Sequence, residues 1–171
     1  MKLLFIFLLT PVMLFSQQKT ATFKTYTGKD FSIQYPANWA LDSEGKMTTS
    51  FVLFAPLESA QDKFKENINL IIQDLSGYNI DLDAYTAISE QQLKNAVVNF
   101  KLIETKQIKN EKDTYHHIIY EGEQAGFKLY FQQQYRVKNN KAYVLTYTAE
   151  QQGVKRFNEV ATKILNSFLL K

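Results

Sequence analysis

The chain of 171 residues contains no cysteine. Disulfide staples are therefore excluded, as is lipid anchoring through a modified N-terminal Cys. Packing alone must stabilise it. Only two histidines occur, His116 and His117, and only six glycines and three prolines. The Gly-Lys-Ser/Thr phosphate loop, the Gly-x-Ser-x-Gly elbow and the Gly-x-Gly-x-x-Gly turn are all missing. No basic block appears, because Lys and acidic residues are interleaved, as in KQIKNEKD (106–113). The pI near 8.9 therefore does not indicate nucleic acid or an anionic membrane; the charge pattern reads as a solvated mixed surface.

Long hydrophobic runs are also scarce. The longest, Leu3 to Phe15, has 13 residues and is broken by Thr10-Pro11. A bilayer span needs roughly 20 apolar residues. Lys2 followed by a short apolar core instead reads as a secretory signal over 1–16, with Ser16 before the cut and cleavage after Gln17 as the alternative. Its removal lowers the formal charge from +3 to +2. Residues 17–171 then form a single globular domain that does not span a membrane and is periplasmic or extracellular.

The periodicities define the elements. TFKTYTGKDFSIQY (22–35) reads as strand, turn, strand. TTSFVLFAP (48–56) and NINLIIQDL (67–75) are further strands, separated by a charged loop. From Asp81 the period changes. Leu82, Tyr85, Ile88, Leu93, Ala96, Val97 and Phe100 mark one helical face, with Asp81 or Asp83 as N-cap. Four strands follow, over 101–109, 114–121, 127–138 and 141–149, joined by NEKD, GEQAG and NN. Such short polar turns predict an antiparallel meander. Val154, Phe157, Val160, Ala161, Ile164, Leu165 and Phe168 define a closing amphipathic helix. Tyr143, Leu145 and Tyr147 point one way with Val144 and Ala142 opposite, so the sheet carries bulk on both faces. The expected class is α+β: an α/β/α sandwich around a mostly antiparallel sheet of about six to eight strands, with two main helices.

FSIQYPANW (31–39) ends a strand on Tyr35-Pro36 and sets the chain's only Trp three residues later. Pro36 lacks an amide and keeps Tyr35 extended, and Trp39 is expected to turn back and seal the core. This stretch, the central helix after an Asp-rich loop, and the closing ILNSF (164–168) together resemble the PsbP/DcrB-like superfamily, with its Mog-type fold, over roughly 22–170. Tyr35, Pro36 and Trp39 then serve as structural markers. The superfamily includes extrinsic subunits of photosystem II, a nuclear Ran-binding factor and bacterial envelope proteins. The resemblance implies binding to other proteins, with no shared catalytic residues. The export signal points to the bacterial exported branch.

Four places carry candidate chemistry. His116 and His117 are strand neighbours, so they face opposite sides and cannot chelate one metal together. A carboxylate buried beside either would point to an enzyme. Glu121 and Glu123 would share a strand face about 7 Å apart, but Gly122 and Gly126 mark a turn with ordinary acidity. DLSGYNIDLD (74–83) is rich in oxygen donors, yet Gly77 and Tyr85 stand in the wrong places for a calcium-binding hand. Six tyrosines (115, 120, 130, 135, 143 and 147) read mainly as core. If part of that sheet is open, Tyr130, Gln132, Gln134 and Arg136 share one strand face and form the candidate partner surface.

No catalytic, cofactor-binding or metal residue is assigned, and no cofactor is expected. The sequence reads as an exported, non-catalytic binding or accessory protein of the bacterial cell envelope, acting on an unknown envelope protein and not on nucleic acid. The alternative is a small-ligand or glycan-binding domain. An envelope hydrolase ranks last.

Overall fold

The computed structural model describes residues 22–45, 48–111 and 113–171. The expected signal at 1–16 lies outside them. Ten strands and two helices follow in the order β1 Phe23–Thr27, β2 Phe31–Pro36, β3 Ala40–Asp42, β4 Thr49–Phe54, β5 Asn67–Asp74, α1 Leu82–Ala96, β6 Val98–Lys109, β7 Thr114–Gln124, β8 Phe127–Lys138, β9 Lys141–Glu150, α2 Val154–Asn166 and β10 Leu169–Leu170.

Seven strands form one sheet in the order β3-β4-β5-β9-β8-β7-β6, every described pair antiparallel. The remaining three form a small sheet in the order β1-β2-β10. The meander arises from tight turns. Asn139 and Asn140 take φ of 52° and 55°, and Ala125 and Gly126 take 52° and 84°. Two consecutive left-handed residues twist a two-residue turn with the strands it joins. β7 therefore runs on through Gly122 to Gln124, where GEQAG had suggested a five-residue turn.

The period-two alternation of β9 separates two cores. Tyr143, Leu145, Tyr147 and Ala149 pack with Phe51, Leu53, Ile68 and Leu70 beneath Phe157, Ala161, Ile164 and Leu165 of α2 and Phe31, Ile33 and Tyr35 of β2. Ala142 and Val144 face the opposite side with Ile118, Tyr120, Leu129, Phe131 and Tyr135, under Tyr85 of α1. The small sheet and α2 thus cover one face and α1 the other. Many of these aliphatic side chains are fully buried, and each such burial contributes about 1.5–3 kcal/mol. Trp39 is 5% exposed and meets Phe157 edge-on at 6.2 Å. The Trp39 amide donates to the Pro36 carbonyl at 2.9 Å, which closes the turn after Tyr35-Pro36.

Asp81 caps α1, its carboxylate accepting from the Ala84 amide at 2.8 Å. The helix ends at Ala96. Val97 is extended, and Phe100 belongs to β6 and packs against Tyr120. Ile88, expected on the apolar face, is exposed.

Candidate binding site

Four side chains alternate along one face of β8: Tyr130, Gln132, Gln134 and Arg136. They lie opposite Ala149, Tyr147, Leu145 and Tyr143 of β9 across the ladder, and so on the α2 side of the sheet. A partner surface here required this strand face to be open. Instead Gln132, Gln134 and Arg136 are buried, and Tyr130 is half-buried against Tyr147. The reason is cover: α2 and the small sheet pack on this side of the large sheet, and Phe168 lies against Arg136.

Arg136 is the member of this row that reaches an opening. Its guanidinium, 3% exposed, sits 4.4 Å from the Tyr115 ring centroid and 5.1 Å from that of Phe168. Nε donates to Oδ2 of Asp113, and Nη1 donates to Oε1 of Gln134 at 3.1 Å. Burial pulls the guanidinium below its ordinary value, and the Asp113 carboxylate opposes the shift. An arginine stays charged under such opposing forces. Around it lies a cleft of about 500 Å³, lined also by Asn110, Glu111, Asn166 and Leu169. A smaller hollow of about 240 Å³ shares Asp113, Arg136 and Leu169 with it.

The rest of this sheet face is polar below the surface. Gln132 Oε1, Tyr147 OH, Glu66 Oε2 and His117 Nδ1 are buried without a hydrogen-bond partner among the described residues. Burial raises the Glu66 carboxyl and the Tyr147 hydroxyl above their ordinary values. Glu66 lies under Gly153 at the start of α2, where a Cβ would stand 2.8 Å from Oε1.

The two histidines do point to opposite faces. His117 shares the Gln134 register and approaches Glu104 at 3.6 Å, whereas His116 faces α1. His116 Nε2 is 2.7 Å from Thr105 Oγ1, whose proton goes to Glu90 at 2.5 Å. The hydroxyl has one proton and gives it to the carboxylate, so His116 must donate at Nε2. A histidine donating to that hydroxyl is not its base. The trio joins α1 to β6 and β7. Burial lowers both imidazoles below their ordinary value, against the attraction of Glu90 and Asp83 for His116 and Glu104 for His117.

Glu121 pairs with Lys101 at 3.2 Å. In the 74–83 loop, Asp74 accepts from the Ser76 amide and Asp81 caps the helix, so both carboxylates are engaged locally. Among the described residues no three His, Asp or Glu side chains converge as a metal site. No described helix is long and apolar enough to cross a membrane.

A feature the periodicity did not reveal lies at the far edge. β6 is the outermost strand of the large sheet, and Val98, Leu102 and Ile103 are 60, 39 and 48% exposed. Its pairing with β7 slips between Val98 and Lys101 and again between Leu102 and Glu104. Such bulges hinder indiscriminate strand addition along a free edge.

The sequence model of the PsbP-like protein family matches residues 14–170. No curated protein matches the chain. Among the solved structures that share the fold, three of low identity illustrate it. LpqN, involved in cell envelope biogenesis of Mycobacterium tuberculosis, is 13% identical with a TM-score of 0.67, over 89% of this chain and 91% of that one. Cyanobacterial PsbP from Synechocystis sp. PCC 6803 is 12% identical with a TM-score of 0.63, over 91% and 96%. PA94, a protein of unknown function from Pseudomonas aeruginosa, is 12% identical with a TM-score of 0.61, over 85% and 94%.

Proposed function

The chain belongs to the PsbP-like protein family, and from that premise we propose that it is an exported, non-catalytic accessory protein of the bacterial cell envelope that acts by binding another protein. One observation carries the reading: the twelve-residue edge strand β6 exposes Val98, Leu102 and Ile103. A free edge offers unpaired backbone groups, and exposed aliphatic residues reward a partner that covers them. The bulges restrict that partner to one whose register fits. The envelope role of LpqN supports the location. The short apolar N-terminal run supports export.

The test is site-specific photocrosslinking in the native envelope. A crosslinker at Ile103 should trap one defined envelope protein, and the Val98→Lys substitution should abolish the adduct. The same crosslinker at Lys155, on the exposed side of α2, should trap none. Equal adducts at both sites, or none at Ile103, would refute the proposal.

A second reading, a small-ligand site, is favoured by the open cleft at Arg136.

A further inference from the structure

We infer that the cleft at Arg136 is a carboxylate-binding site; this rests on the small-ligand reading of that cleft and not on the β6 contact. The Tyr115 and Phe168 rings lie 4.4 and 5.1 Å from the guanidinium, so aromatic surface flanks it and a ligand meets the part they leave open. Nε and Nη1 are engaged, while Nη2 makes no hydrogen bond among the described residues. The Tyr115 hydroxyl and the Asn166 side-chain amide, both in the lining, make none there either. One buried cation and two side chains able to donate therefore line the same cleft. A charge-assisted hydrogen bond in such a place is stronger than a neutral one.

Asp113 identifies the anion. It reaches Arg136 from the short turn between β6 and β7, and its side chain is 24% exposed. A carboxylate held from a turn and partly wet can swing out when another carboxylate arrives. The exchange keeps one anion on one cation. A phosphate dianion would meet the carboxylates of Glu111 and Asp113, both in the lining. The planar guanidinium edge also matches a planar carboxylate. The carboxylate can belong to a small acid or to a peptide C-terminus. The rim suits either, since Leu169 of the edge strand β10 lines it and Leu170 lines the adjoining hollow.

Calorimetric titration of the protein with acetyl-Ala-Ala-Leu, its C-terminal amide and acetate separates these cases. We expect the acid to bind at least about tenfold more tightly than the amide. Acetate that competes with the acid assigns the site to small carboxylates, and acetate that fails to compete assigns it to chain termini. Arg136→Gln should weaken the acid about tenfold or more. If that variant does not fold, Asp113→Asn decides: by freeing the guanidinium it should tighten the acid about tenfold. Equal binding of acid and amide would overturn the carboxylate assignment and leave the cleft a ligand site. No binding of either up to about 10 mM would overturn both. Weaker binding of the acid by Asp113→Asn would overturn the displacement of Asp113.

Discussion

Replacing Trp39 with Ala tests whether the turn after Tyr35-Pro36 is part of the core. Trp39 is 5% exposed and lies against Phe157 of α2. A buried Trp removes about 200 Å² from water, roughly 150 Å² more than an Ala would. At about 25 cal/mol per Å² the lost transfer energy is about 4 kcal/mol. A residual cavity adds to that and local collapse subtracts, so the expected loss stays near 4 kcal/mol. This is a large share of a stability of roughly 5–15 kcal/mol. Urea unfolding followed by far-ultraviolet circular dichroism is the assay, since the substitution removes the chain's only indole. With a slope of about 2 kcal/mol per M, the midpoint should fall by about 2 M. Trp39→Phe, which keeps a ring against Phe157, should lose less than half as much. In the unsubstituted protein, indole fluorescence should change in the same transition as the dichroism. A shift below about 0.5 M at unchanged slope, or a separate earlier fluorescence transition, would refute the core assignment.

Gly122→Ala should destabilise by about 1–3 kcal/mol in the same assay, because the new Cβ would stand 2.2 Å from Val97 Cγ1 and 3.2 Å from the Val98 carbonyl. Ala125→Asn should raise the midpoint by an amount worth about 0.5–1 kcal/mol, because Ala125 holds a φ of 52°, which Asn tolerates better. Both imidazoles titrate below their ordinary value of 6.5 in the folded protein. The unfolded chain therefore binds more protons near that value, and the histidine contribution to stability is lost as pH falls through it. A His116→Gln/His117→Gln double variant should show a flatter stability profile between about pH 7.5 and 5.5. An unchanged slope would refute the assignment of these two groups.

The elements were legible where one residue pattern had one physical cause. Tyr143, Leu145 and Tyr147 against Ala142 and Val144 revealed two covered faces, because side chains alternate along any strand. Asp81 revealed the start of α1, because a short carboxylate satisfies free amides. The turn at 122–126 misled because Gly122 is small for a different reason: Val97 crosses close above it. Three-residue β3 and two-residue β10 left no pattern of their own, and neither did the division into two sheets. These follow from long-range pairing, as when Leu169 meets Ser32. The cleft was half legible. Gln134 and Arg136 were singled out as a row, on the condition that the face be open. Asp113 and Tyr115 come from one segment and Phe168 from another, and nothing local in the sequence ties either to Arg136.

The two helices are held by different forces. α2 buries Phe157, Ala161, Ile164 and Leu165, whereas α1 buries only Tyr85 and Thr86. Much of the attachment of α1 consists of hydrogen bonds at its rim: Tyr85 to Gln73 at 2.6 Å, Gln107 to Asp83 at 2.9 Å and Thr105 to Glu90. Such bonds can be exchanged for water at little net cost, while buried aliphatic surface cannot. α1 should therefore detach as a sub-global unit before the rest of the fold opens, with its amides exchanging deuterium well ahead of those of α2 and β9. Each such opening would briefly bare Tyr135 and Tyr120, giving the molecule a transient second face that its resting state conceals.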